Sequence, residues 1–247
     1  MGKNIKILGY QVASKPVTSI VSEAFDSNKL TVINTINPHS YSVAKYDAEF
    51  RRALLESHVL IPDGSGIVYA ARKLHGVRIE KIAGHDLLLE VMRALDIKRG
   101  KVFFLGSTKT TLDAITKRVS VDYPNIKVDC LSPPYKECFS DEDKQTFVDG
   151  INKFSPDVIF VGLTAPKQEK LIADIYSSLD GHIISGIGAV FDFYSGTIKR
   201  PNQFWLNLHL EWLVRLVGEP KRLWRRTFIS APIFLYDLFF DKVKGCK

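Results

Sequence analysis

A carboxylate set between a β-branched run and two glycines is the first place where this chain shows chemistry: Pro62-Asp63-Gly64-Ser65-Gly66 follows His58-Val59-Leu60-Ile61. A strand ending there puts Asp63 at its carboxyl end, and Gly64 and Gly66 let a ligand approach the backbone. Such an acid can take a proton from an attacking hydroxyl, although Pro-Asp-Gly is also an ordinary turn. Thr35-Ile36-Asn37-Pro38 ends the strand that begins at Leu30 in a similar way. Its polar side chains suit a ligand edge, and Pro38 is free to start a helix. Other exits have the same character: Gly106-Ser107-Thr108, Thr164 through Glu169, and Gly186-Ile187-Gly188 leading to Asp192. The Gly106 turn is dinucleotide-like but lacks GxGxxG, so a nicotinamide or flavin enzyme is only weakly signalled. Asp86 precedes a helix, where it reads as an N-cap or first-turn acid. Asp141-Glu142-Asp143 has a spacing that can hold a divalent metal, but it opens a polar helix behind Ser140 instead of ending a strand, so capping is the better reading.

The C-terminal stretch is different in composition. From Lys199 onward there are ten Lys/Arg against four acids, whereas residues 1–198 carry a net charge of only +1. Trp205, Trp212 and Trp224 all fall in this tail. Basic residues interleaved with Trp and Phe suit a membrane interface or a nucleic acid, with a C-terminal helix pair whose aromatics are core as the plain alternative. The apolar-rich run from Phe228 to Phe240 contains Pro232 and Asp237 and is well short of the ~20 residues needed to span a bilayer. Contact with a membrane is expected, not a crossing.

Bulk properties narrow the class. Of the 247 residues 45% are hydrophobic and the charges are mixed, so the chain is globular. The three cysteines, Cys130, Cys138 and Cys246, lack zinc spacing and are odd in number, which argues for a reducing, cytoplasmic setting. The N-terminus has no long apolar segment, and Lys6 stands where myristoylation would need Ser or Thr.

These residues are positioned by a repeated strand and helix rhythm. Strands are expected at Ile5, Leu30, His58, Lys101, Ile126, Asp157 and His182, and helices over Thr18 to Phe25, Ser40 to Glu56, Ile67 to Leu74, Leu87 to Leu95 and Thr110 to Val119. The result is an α/β fold, a mostly parallel, doubly wound, Rossmann-like sheet with one ligand edge. Residues 1–198 form the core, and residues 199–247 a helical, basic-aromatic appendage that completes the site.

Eight separated motifs in order resemble the WecG/TagA/CpsF glycosyltransferases of bacterial surface-polysaccharide synthesis. They are Thr35-x-Asn37-Pro38, Pro62-Asp63-Gly64-x-Gly66, Gly84-x-Asp86, Phe104-Leu105-Gly106, Pro133-Pro134, Ala165-Pro166-Lys167-Gln168-Glu169, Gly186-x-Gly188-Ala189-x-Phe191-Asp192, and the tail pair Glu211-Trp212-x-x-Arg215 with Glu219-Pro220-x-Arg222-x-x-Arg225-Arg226. Lys81 stands where the family usually has Arg, and Thr164 replaces a usual Gly. Lysine supplies charge there without a bidentate pair, which bears on sugar or phosphate selectivity.

The resemblance implies inverting, metal-free transfer of an N-acetylhexosamine-type sugar, N-acetylmannosamine or its uronic acid, from a UDP-sugar to an undecaprenyl-diphosphate-linked sugar. No cofactor and no metal are expected. Asp63 becomes the catalytic base, with Thr35 and Asn37 orienting it or the sugar hydroxyls. Gly64, Gly66, Lys81, Asp86, Gly106, Gln168, Gly186, Gly188 and Asp192 are the expected substrate contacts, with Asp192 equally readable as a structural turn acid. Arg215, Arg222 and Arg225 are the cations expected to hold the diphosphate. The protein should work on the inner face of the cytoplasmic membrane, with a homo-oligomer left open. A nucleic-acid-binding module or a non-enzymatic membrane scaffold would explain the tail but leave Asp63, Thr35 and the glycine exits unused.

Overall fold

The computed structural model describes residues 4–197 and 224–244. Arg215, Arg222, Trp205, Trp212 and the expected boundary at residue 198 lie outside the described residues. Among the described residues the strands form one sheet, in the order β1 (Ile5–Ile7), β2 (Tyr10–Val12), β4 (Val59–Pro62), β3 (Thr31–Ile36), β8 (Ile183–Gly186), β7 (Val158–Gly162), β5 (Lys101–Gly106), β6 (Lys127–Leu131). Every neighbouring pair is parallel except β1 with β2. The fold is therefore the mostly parallel, Rossmann-like α/β class that the strand and helix rhythm predicts. Strand β2 was not expected. It follows a two-residue turn, Leu8-Gly9, in which both φ angles are positive, as primed hairpin turns require.

Strands β7 and β8 are buried from end to end and β5 nearly so, because helices cover both faces. On one face α1 (Val17–Asp26), α5 (Gly84–Lys98), α6 (Lys109–Asp122) and the short α9 (Val190–Tyr194) pack over Ile33, Phe104 and Phe160. On the other, α7 (Asp141–Phe154) and α8 (Lys167–Ile175) cover Phe103, Ile159 and Ile184. Ser140 and Asp143 make the reciprocal capping box at the start of α7, as its sequence predicts.

The crossover expected as one helix from Ser40 to Glu56 is two, α2 (Pro38–Ala44) and α3 (Ala48–Leu55). Asp47 divides them by accepting a 3.0 Å hydrogen bond from the Phe50 amide, so it caps a new helix. Beside these lie α4 (Ser65–His75) and the C-terminal α10 (Ala231–Lys244), around Ile36 and Leu60. Phe234 and Leu238 of α10 are 1% and 0% exposed within that cluster. Both belong to the Phe228 to Phe240 run whose composition leads to the expectation of membrane contact. They are core, each contributing roughly 1.5–3 kcal/mol by burial.

The topology also opens a crevice. The chain leaves β5 toward β6 on one side, and leaves β7 toward β8 on the other, so the two connections part above the carboxyl ends of these adjacent strands. Gly106 and Gly162 meet there: a Cβ on Gly106 would stand 2.8 Å from the Gly162 carbonyl oxygen.

Candidate active site

Strands β3 and β4 set the first part of the site. Their register pairs Thr35 with Ile61 and Ile36 with Pro62, and the Asp63 amide donates to the Ile36 carbonyl at 2.9 Å. Thr35, Asn37 and Asp63 thus leave two hydrogen-bonded strands side by side and line one cavity of about 1080 Å³. Asn37 Oδ1 accepts from the His39 and Ser40 amides, both at 3.0 Å, and caps α2, so its NH2 is the group it can offer a ligand. Gln168, Gly186, Gly188 and Asp192 line the same cavity, as do Ser107, Pro133 and Tyr135. Its volume exceeds the roughly 300–1,000 Å³ of most small-molecule sites, room for a nucleotide and more.

Other expected contacts are placed elsewhere. Gly64, Gly66, Lys81, Asp86 and Gly106 do not line the cavity. Gly64 takes φ +88 to turn the chain into α4. Gly66 serves packing, since a Cβ there would be 2.5 Å from the Pro38 ring. Asp86 Oδ2 accepts from the Ala83 amide at 2.9 Å, so the structure supports its capping reading. Lys81 is half-buried beside Ile82, whose amide donates to the Pro62 carbonyl at 3.0 Å. Arg225 is exposed and outside the lining, while the adjacent Arg226 is part of it.

Among the lining residues given no role from the sequence are His39, Glu169 and Arg226. His39 Nδ1 is 2.8 Å from Ser230 Oγ, and burial, with the Arg226 charge second, holds its pKa below the usual histidine value. Glu169 is 2% exposed, and burial pushes its carboxyl up to about 7. Glu169 and Arg226 stand inside quoted motifs, but burial and the fold-back of the tail are not written in a motif. Among the described residues no group of three or more His, Cys, Asp or Glu side chains could hold a metal ion.

The Glycosyl transferase WecG/TagA/CpsF family model matches residues 5–247. The chain belongs to this family. An N-acetylglucosaminyldiphosphoundecaprenol N-acetyl-beta-D-mannosaminyltransferase of Bacillus subtilis (strain 168) is 32% identical over 201 residues, covering 81% of this chain and 76% of the relative. The protein of that name from Bacillus spizizenii is 32% identical over 223 residues, covering 89% and 84%. The one from Staphylococcus aureus (strain MW2) is 28% identical over 245 residues, covering 97% and 94%. As a WecG/TagA/CpsF protein the chain is a glycosyltransferase, and the nucleic-acid and scaffold readings of its tail fall away. The family match runs through the tail, so the basic-aromatic segment is part of the family's chain and not an addition to it.

Proposed function

We propose that this glycosyltransferase moves N-acetyl-D-mannosamine from its UDP-sugar to the N-acetylglucosamine of a diphosphoundecaprenol-linked acceptor, with inversion and without a metal. The observation that carries the reading is the meeting of Thr35, Asn37, Asp63 and Gln168 on one cavity, in a chain whose relatives bear that activity in their names. Asp63 takes the proton of the acceptor hydroxyl as that oxygen attacks the anomeric carbon and the bond to UDP breaks. Thr35 and the Asn37 NH2 orient the sugars, and Gln168 with the Gly186 to Asp192 turn contacts the donor. The departing diphosphate carries the developing charge. Arg226, which lines the cavity, joins the tail cations Arg215 and Arg222 in neutralising it, and takes the part expected of its neighbour Arg225.

The lipid carrier brings its diphosphate to headgroup level, so the enzyme works as a peripheral protein on the membrane face. Among the described residues no helix is long and apolar enough to cross a membrane. Phe228, Ile229, Leu235, Tyr236, Phe239 and Phe240 are exposed and supply a surface that can lie in the interface. A panel of UDP-sugars offered with an N-acetylglucosaminyl-diphospho-lipid analogue, with and without EDTA, tests the reading. Acceptor-dependent UDP release is expected to be fastest with UDP-N-acetylmannosamine and unchanged by the chelator. Preference for another sugar would refute the donor assignment, and loss restored by Mg²⁺ or Mn²⁺ would refute metal independence.

A further inference from the structure

No step above uses Glu169, although it lines the cavity and is almost wholly buried. A carboxyl in that place is costly to the fold, and a group kept at such a cost beside a site calls for a role other than stability. Other charged groups on and around α8 are engaged elsewhere: Lys170 with Asp47 and Glu49, Arg52 and Lys144 with Asp174, and Lys167 with the Lys136 carbonyl. What Glu169 does hold is its neighbour. Gln168 Nε2 donates to Glu169 Oε1 at 2.9 Å, and both residues are buried.

The remaining oxygens of the pair, Gln168 Oε1 and Glu169 Oε2, are buried and have no hydrogen-bond partner among the described residues. Two unmet acceptors on a cavity wall call for donor groups, which a ligand can supply. The glycine exit of β8 closes the other side. A Cβ on Gly186 would stand 3.1 Å from Gln168 Nε2, and one on Gly188 3.3 Å from its Oε1. The wall therefore accommodates the amide closely and would crowd it if either glycine had a side chain.

We propose that Glu169 is a positioning residue for Gln168, turning the amide so that its NH2 is taken up inside the protein and its carbonyl oxygen is presented to the donor sugar. The proposal rests on the reading of this cavity as the donor site. An amide free to turn offers either a donor or an acceptor at the same point. One tethered through its NH2 offers an acceptor alone, and so selects a ligand N–H or O–H, such as the N–H of an acetamido group.

A double-mutant cycle on Gln168→Ala and Glu169→Leu tests this through the donor KM. Glu169→Leu is expected to raise that KM about tenfold with kcat nearly unchanged, the signature of lost ground-state binding. In the Gln168→Ala background the same change should shift KM by less than about twofold, because its object is gone. The isosteric Glu169→Gln should fall between, since two amides can pair in either sense. Independent effects that multiply, or a fall in kcat at constant KM, would overturn the proposal. The Gln168 side-chain amide is also read directly by NMR in the absence of substrate, its signals assigned by their loss in Gln168→Ala. Slow hydrogen exchange in the wild type, lost in Glu169→Leu, is expected, and equal exchange in both would overturn the tether. A wild type that turns over no UDP-sugar strikes the proposed function, while the NMR comparison still decides the part of Glu169.

Discussion

His39 Nδ1 lies 2.8 Å from Ser230 Oγ, a contact between the ligand edge of the sheet and the C-terminal segment 191 residues later. Ser42 Oγ donates to the Ser230 carbonyl at 2.7 Å, and Tyr41 and Lys45 hold Asp237 at 2.9 and 2.8 Å. One side of α2 thus receives the turn that carries Arg226 and the helix that follows it. The consequence for the site is that a cation from the tail reaches the cavity only while this junction is made.

His39 makes that junction sensitive to acid. Its pKa is held below the unfolded value of 6.5 by burial and by Arg226, so folding favours the neutral ring. The stability this contributes is present above about pH 6.5 and is lost as pH falls through the unfolded value toward the lower folded one. His39→Asn, which keeps a polar group near Ser230, is expected to lose less stability than wild type between pH 7 and pH 5 by thermal unfolding. Parallel losses would show that His39 is not the group responsible.

The two faces of α10 should separate under mutation. Phe234→Ala opens a cavity beside Tyr41, whose ring packs edge-on at 5.4 Å, and is expected to lower unfolding stability by about 3–5 kcal/mol. Replacing the exposed Phe228, Leu235 and Phe239 by Ser should leave the unfolding midpoint nearly unchanged while reducing sedimentation with anionic liposomes. Truncation after Arg226 removes core and surface together, so its loss of activity would not isolate the membrane contact. Undiminished liposome binding by the triple Ser variant would refute this surface as the anchor.

Asp63→Asn is expected to reduce transfer by at least about 10²-fold with donor affinity retained, because it removes a base while keeping size and turn propensity. Isothermal titration with the UDP-sugar separates the two effects. Turnover within threefold of wild type would end the assignment of Asp63 as base.

Glu169 predicts an opposite pH trend from His39. Its folded pKa of about 7 lies above the unfolded 4.5, so the folded state holds the proton more tightly. Stability is greatest below about pH 4.5, falls as pH rises to about 7 and then levels, by about 3 kcal/mol at most. Glu169→Gln should unfold several degrees higher than wild type at pH 8 and at nearly the same temperature at pH 4.5. A midpoint difference independent of pH would mean that the carboxyl does not titrate in this range.

How much of this was legible beforehand varies with the range of the interaction responsible. Strand exits at Thr35, Asp63 and Gly186 were readable because a β-branched run followed by Gly, Pro or Asp is a local pattern. Strand β2 was missed because three residues of Tyr-Gln-Val carry too little pattern, and the break at Asp47 because a cap looks like any other acid in a polar helix. Gly66 and Gly106 resembled ligand contacts, but each owes its place to a neighbour distant in sequence, Pro38 in one case and Gly162 in the other.

By itself the sequence determined the fold class, the ligand edge and the family, since each is carried by residue types within short windows repeated along the chain. Tertiary structure alone decided which members of those windows share a cavity. It buried Phe234 and Leu238 while exposing Phe239, brought Arg226 rather than Arg225 to the site, and sealed Glu169 against Gln168. The physical reason is that burial and proximity depend on what packs against a residue from far along the chain, and a carboxyl's proton affinity follows from that packing and not from its neighbours in sequence.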